Sequence, residues 1–393
     1  MNLNRRLVLF ACVLAFAGAA AAQNESLPAI FTNATMTSRM HRISIPRRPS
    51  IIFIACQGLA LGDLSCYGQT NFQTPNIDRL ASEGMRFTDY SVASDDLAKS
   101  ESALVTGGEP SPAAGQETIA ARLHAAGYHT GLIGEWLLGQ EPWTQGFDEF
   151  AGFFNEQEAD NYYSEFVRRY APKSIINETN HTLGTYIGAE EIYANTGGKK
   201  GTFIPDLLML AAGNFVVQNV PDRANLFRPF FLLLDLPIPH SVTPGKDDYP
   251  VPTDAPFTGE SWPQAAKNRA ALMTRFDDQV GKLLEQINKL GLTNNVAIFL
   301  AGAVAPEKFA DKNMNFLQVA GEVRGGDSAA RLRVPMIVHW PGHVPAGSVS
   351  SAHWTSADFA PTAIGMAEVK FASTFKGVSV LPTLIGNAKT NAP

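Results

Sequence analysis

The sequence predicts an α/β fold: a large, mostly parallel sheet sandwiched by helices, in one domain spanning residues 48–386. Three observations predict it. The runs Ile51-Ile52-Phe53-Ile54-Ala55, Pro229 to Leu236 and Val296 to Leu300 are short, apolar and rich in β-branched or aromatic residues, the pattern of strands buried on both faces. Between them lie segments of helical period, the longest from Gln264 to Leu290, with Phe276, Val280, Leu283, Leu284, Ile287 and Leu290 on one face and Gly291 as its stop. A chain of 393 residues, 45% of them hydrophobic, can bury a core of that size.

Residues 1–22 have the layout of a secretory signal peptide: Arg5 and Arg6, an apolar run from Leu7 to Phe16 too short to span a bilayer, and Ala20-Ala21-Ala22 before Gln23. Export follows as the expectation, with no membrane span after cleavage. Residues 23–47 are polar and irregular and are expected to form an exposed arm. Without the leader, 29 basic residues face 37 acidic ones, a net charge of −8 that makes nucleic acid a poor partner. Asn24, Asn33, Asn177 and Asn180 lie in glycosylation sequons, but the leader has a bacterial look and no glycan is expected. Cys56 and Cys66 flank the first loop; a disulfide between them is allowed and not assigned by spacing.

The first strand is expected to feed a loop from Cys56 to Leu61. A helix follows over Thr74 to Gly84, with Thr74 as cap, Pro75 at its first position and Gly84 as its end. Met85 to Val92 reads as a strand, Ser100 to Thr106 as a helix, Glu117 to Ala126 as another, and Tyr128 to Gly134 as a strand. Asn155 to Gly201 has weak periodicity and is expected to be a long insertion folded over one face. Asp206 to Asn219 reads as a helix, and Ser356 starts another. Residues 387–393 are a tail.

Three stretches, RPSIIFIACQGLALGDLSCYG (48–68), TPNIDRLASEGMRFTDYSVAS (74–94) and LAKSESALVTG (97–107), resemble the formylglycine-dependent sulfatases of the alkaline-phosphatase-like superfamily. GYHTGLIGEWLLG (127–139), Pro239-His240 and Arg333-Val334-Pro335 extend the resemblance to about residue 385. It implies the same sandwich fold, a site at the C-terminal ends of the strands where Gln57, Leu97, Gly302 and His240 converge, and a smaller C-terminal subdomain that is largely absent from this sequence. It also implies a sulfuric ester hydrolase with a calcium ion and a formylglycine nucleophile.

The scaffold positions match and the chemical ones do not. Gln57, Gly58, Gly302 and Ala303 stand where the family has its metal ligands, and Leu97 stands where it has the Cys or Ser that becomes formylglycine. Lys99 and Glu101 replace the Pro and Arg of the same motif, Glu135 a Lys, and Leu137 a His. A divalent cation needs several hard oxygen ligands, so the calcium site is expected to be lost and no cofactor is expected. Loss of a covalent nucleophile costs on the order of a million-fold in rate.

Ser100 and Asp95 are the substitutes to weigh as nucleophiles, although Asp95 and Asp96 read more simply as caps of the next helix. Binding candidates are His240, either an anion donor or a filler of the turn after a strand, Arg324, which falls at a family Lys in an ungapped register, and Gln57. No GxxxxGK[ST] loop and no Gly-x-Ser-x-Gly elbow occurs, so nucleotide hydrolysis and esterase chemistry have no support. The function expected is that of an exported pseudo-sulfatase acting in binding or as an accessory protein, with glycans or an active relative as partners. The alternatives are an active arylsulfatase-like hydrolase, one with a non-standard nucleophile, and a decaying gene product, against which the intact core motifs speak.

Overall fold

The computed structural model describes residues 48–108, 117–159, 161–176, 183–221, 228–240, 249–304, 332–370 and 375–386, all within the compact unit Arg47–Pro393. The leader, the arm, the four sequons, Arg324 and the tail lie outside the described residues. Strand β1 (Ser50–Gln57) opens the fold and is buried along its whole length. After it come α1 (Pro75–Ser82), β2 (Met85–Phe87), β3 (Tyr90–Ser91), α2 (Leu97–Thr106), α3 (Ile119–Ala125), β4 (His129–Glu135), β5 (Glu149–Phe153) and α4 (Glu156–Ala159). The second half adds β6 (Phe166–Ile176), β7 (Leu183–Glu191), α5 (Ile204–Gln218), β8 (Phe230–Leu236), α6 (Gln264–Lys289), β9 (Val296–Val304) and β10 (Met336–His339). It closes with β11 (Ser348–Ser350), β12 (Trp354–Thr355), α7 (Phe359–Met366) and α8 (Leu381–Leu384).

Among the described residues ten strands form one sheet in the order β11-β2-β10-β9-β1-β8-β4-β5-β6-β7, and β12 and β3 form a small second one. The centre, from β9 through β1, β8 and β4 to β5, is parallel; antiparallel pairs flank it at β9–β10 and β5–β6. Alternation along β1 divides the core. Ile52 and Ile54 pack with α1, α5 and α6 on one face, and Ile51 and Phe53 pack with α2, α3, α7 and α8 on the other. Both faces are covered, which is why the central strands read as unbroken apolar runs. The mostly parallel sandwich expected from sequence is the architecture found.

Local boundaries moved where tertiary contacts outweigh local signals. Cys56 and Gln57 continue β1, because β8 and β9 pair with it on both sides. Residues 301–304, aligned with a family loop motif, extend β9 for the same reason. Met85 to Val92 is two short strands in different sheets. The expected insertion from Asn155 to Gly201 contains the hairpin β6–β7, which lengthens the sheet edge. Thr74 occupies the cap position of α1 without bonding its amides. Asp277 of α6 does so from 201 residues away, accepting from Asn76 N at 3.1 Å and Ile77 N at 2.8 Å. Glu83, not Gly84, is the C-cap of α1. Both Cys56 and Cys66 are free thiols.

Candidate functional site

Three adjacent parallel strands, β1, β8 and β4, end together, and each brings one polar side chain there: Gln57, Asp235 and Glu135. All three are buried, with exposures of 1–2% in an otherwise apolar layer. The Gln57 amide nitrogen donates to Glu135 Oε2 at 2.8 Å and to Asp235 Oδ1 at 3.2 Å. One neutral amide thus bridges two carboxyl groups.

Helix α2 supplies a fourth group. Asp96 caps it, accepting from Lys99 N at 2.9 Å, and the helix is thereby aimed so that Ser100 and Glu101 face the strand ends. Ser100 Oγ donates to Ala303 O at 2.6 Å, fastening the helix to β9. Glu101 Oε2 accepts from Leu137 N at 2.9 Å, while its buried Oε1 finds no hydrogen-bond partner among the described residues. Glu101, Asp235, Ser100, Gly302 and Ala303 line a cavity of about 10 Å³, room for about one water molecule.

Burial sets the protonation here. Desolvation pushes the Asp235 carboxyl up to about 7, against the Gln57 hydrogen bond that favours the anion. Desolvation likewise holds Glu101 well above the usual carboxylate range, with the charges of Asp235 and Glu135 adding to it and the Leu137 amide opposing. Asp235 and Glu101 thus keep protons that water would remove.

The positions aligned with the family's metal ligands do not suit a calcium ion. Gln57 turns its nitrogen, a donor, into the cluster. Gly58 has φ +77°, a backbone region that a carboxylate-bearing residue adopts only under strain. At Gly302 a Cβ would stand 2.6 Å from Val334 Cβ and 2.8 Å from Leu59 O, so the space of a ligand side chain is filled. Among the described residues, no group of three or more His, Cys, Asp or Glu side chains is placed to hold a metal ion.

Of the other sequence-derived candidates, Leu97 is buried in the first turn of α2 and Asp95 is exposed one residue before the cap. The carboxylate that caps α2 is that of Asp96. Ser100 spends its proton on a carbonyl and has no hydrogen-bonded base among the described residues. His240 lies beside Gly58, whose Cβ position is 3.7 Å from His240 Cα, and Tyr162 donates its hydroxyl to the His240 carbonyl. Gln57, Gly302, Ala303 and Ser100 are therefore brought together, with His240 adjoining.

Asp235, Asp63 and Arg269 are site residues that no motif in the sequence marks. Asp235 is the lone carboxylate in the apolar run Phe230–Leu236, and Arg269 is a charge on the buried face of α6 seven residues before Phe276. A charge where the period calls for hydrocarbon was the available signal. Arg269, fully buried, donates to Asp63 at 2.7 and 2.5 Å, to Tyr249 Oη at 2.8 Å, to Pro239 O at 3.2 Å and to Gly58 O at 3.3 Å.

Architecture and strand-end cluster together define an α/β protein with its polar centre at the C-terminal ends of parallel strands. The chain belongs to the sulfatase family, whose model matches residues 49–369. It is 27% identical to N-acetylgalactosamine-6-sulfatase of Canis lupus familiaris over 385 residues, covering 88% of this chain and 68% of that protein. To arylsulfatase A of Bos taurus it is 28% identical over 374 residues, 87% of this chain and 69% of the relative. The crystal structure of Ps i-CgsB in complex with k-i-k-neocarrahexaose is 27% identical, covers 86% of this chain and 77% of that one, and superposes with a TM-score of 0.66. Among the described residues no helix is long and apolar enough to cross a membrane.

Proposed function

We propose that this protein is an exported, non-hydrolysing member of the sulfatase family that acts in binding, with glycans as its ligand class. What supports the proposal is the Gln57–Glu135–Asp235 cluster and Leu97 at positions where the resemblance implies a cation and a nucleophile. A sulfate ester brings negative charge, and Glu101 and Glu135, in places where the resemblance implies basic residues, offer it no counter-charge. Glycans enter through the relatives, one of which is named for N-acetylgalactosamine and another of which is bound to neocarrahexaose.

The test is an assay of the purified full chain on 4-nitrophenyl sulfate and 4-nitrophenyl phosphate, with metal content by mass spectrometry and a screen against sulfated and unsulfated polysaccharides. No turnover above background, no stoichiometric calcium and saturable polysaccharide binding are expected. A second reading, an active sulfuric ester hydrolase, is favoured by the activities for which the relatives are named. Turnover that disappears in Ser100→Ala or Asp95→Asn would establish it and end the binding-only reading.

A further inference from the structure

The ten-stranded sheet ends on one side in β11, three residues long, and on the other in β7, nine residues long. From Tyr186 to Glu191 the pairing of β7 with β6 runs without a bulge, and among the described residues no strand pairs with the outer side of β7. A strand so placed presents a row of unpaired N–H and C=O groups, which sheet edges ordinarily guard with charges, prolines, bulges or a covering segment. The stretch Thr185-Tyr186-Ile187-Gly188-Ala189 carries no charge and no proline. The two charges of β7, Glu190 and Glu191, stand together at its C-terminal end.

The side chains ask for a neighbour as well. Cross-strand partners share a face of the sheet, and Phe150, Tyr170 and Ile187 are successive partners in β5, β6 and β7. Phe150 is buried, Tyr170 is half-buried and stacks on Trp143 at 4.7 Å, and Ile187 is 60% exposed. The apolar row thus breaks off at an isoleucine with no strand beyond it among the described residues. On the opposite face Tyr186 leans along its own strand over Gly188, where a Cβ would come within 2.9 Å of the Tyr186 hydroxyl.

What fits this edge is the edge itself turned round. Antiparallel pairing about a two-fold axis at Ile187 sets Ile187 against its own copy, so that the row Phe150–Tyr170–Ile187 continues into the second chain. It also sets Tyr186 against Gly188, a large ring against a residue without a side chain, and Thr185 against Ala189. Charge picks the direction. In the antiparallel arrangement Glu190 and Glu191 fall opposite residues 184 and 183, which are uncharged, whereas a parallel copy in register sets each glutamate against itself, which is repulsive. Closed two-fold pairs are also the commonest assemblies of identical chains.

We propose that a second copy of this chain pairs with β7 through its own β7, antiparallel about Ile187, joining two ten-stranded sheets into one. A single pair of strands is a small interface, so the dimer is reversible, with a dissociation constant on the order of micromolar. Nothing in this depends on the strand-end cluster or on whether the protein hydrolyses esters.

Sedimentation equilibrium of the full chain across the micromolar range tests it. A monomer–dimer equilibrium is expected. Ile187→Lys, which sets like charges across the axis from an exposed position, should weaken the dimer at least about tenfold while the circular dichroism spectrum and Tm stay as in the parent. Under mild oxidation Ile187→Cys should form an interchain disulfide above the parent's background, and Val349→Cys, on β11 at the opposite edge and 56% exposed, should not. A chain that is monomeric throughout the range overturns the proposal. So does a dimer of unchanged affinity in Ile187→Lys, or Val349→Cys crosslinking as readily as Ile187→Cys.

Discussion

Two buried charge clusters lie side by side at the C-terminal end of the sheet, and they are solved in opposite ways. Around Arg269 one guanidinium meets one carboxylate, and its remaining donors reach Tyr249, Pro239 and Gly58. Asp63 accepts from Ala60 N at 2.8 Å as well, so the pair ties the loop after β1 to the turn after β8 and to α6. Around Gln57, one neutral amide donates to Glu135 and Asp235, one backbone amide donates to Glu101, and the second oxygen of Glu101 has no hydrogen-bond partner among the described residues. The first cluster balances charge with charge; the second balances it with protons. A buried ion is held by counter-charge and hydrogen bonds where the scaffold needs it, and at the neighbouring site burial keeps Asp235 and Glu101 protonated.

The largest test of that contrast is Arg269→Met, which leaves Asp63 buried without its partner. A loss of about 3–5 kcal/mol is expected in urea unfolding. A change below about 1 kcal/mol would mean the pair does not organise the strand ends.

The next test separates protons from charge. The Asp235 carboxyl titrates near 7 when folded, against 3.8 for the free group. Between those values the folded chain holds a proton that the unfolded chain releases. The contribution of Asp235 to stability is therefore full below about pH 4, falls as pH rises through about 4 to 7, and levels above. Asp235→Asn keeps an acceptor for Gln57 and removes the proton. Its stability should be flatter across that window, and its Tm at mildly alkaline pH should exceed the parent's by a few degrees. Parallel pH curves for variant and parent would show that Asp235 is not held neutral.

Asp96→Ala gives the smallest expected effect and a baseline for both clusters, since this carboxylate is exposed and its work is local. Loss of the cap should cost about 1 kcal/mol with little dependence on pH near neutrality. A cost matching that of Arg269→Met would mean α2 is holding the strand-end cluster together by itself.

How much of this was legible in the chain follows from range. Apolar runs such as 51–55 and the stripe Phe276, Val280, Leu283 and Ile287 report on a residue's own strand or helix, and each became an element close to where it was expected. The residue types at Gln57, Leu97 and Gly302 were equally plain in the sequence. Their neighbours in space were not. Asp235 reaches Gln57 across 178 residues and Asp277 caps α1 across 201, distances over which no periodicity speaks.

The sequence by itself therefore determined the sheet, its covering helices and the residue types carried at the strand ends, since these depend on local pattern and side-chain identity. Only the tertiary structure decided that Glu135 and Asp235 would meet there around one amide, and that Val334 would fill the space beside Gly302. Long-range pairing sets which buried groups become neighbours, and neighbours set charge, protonation and room.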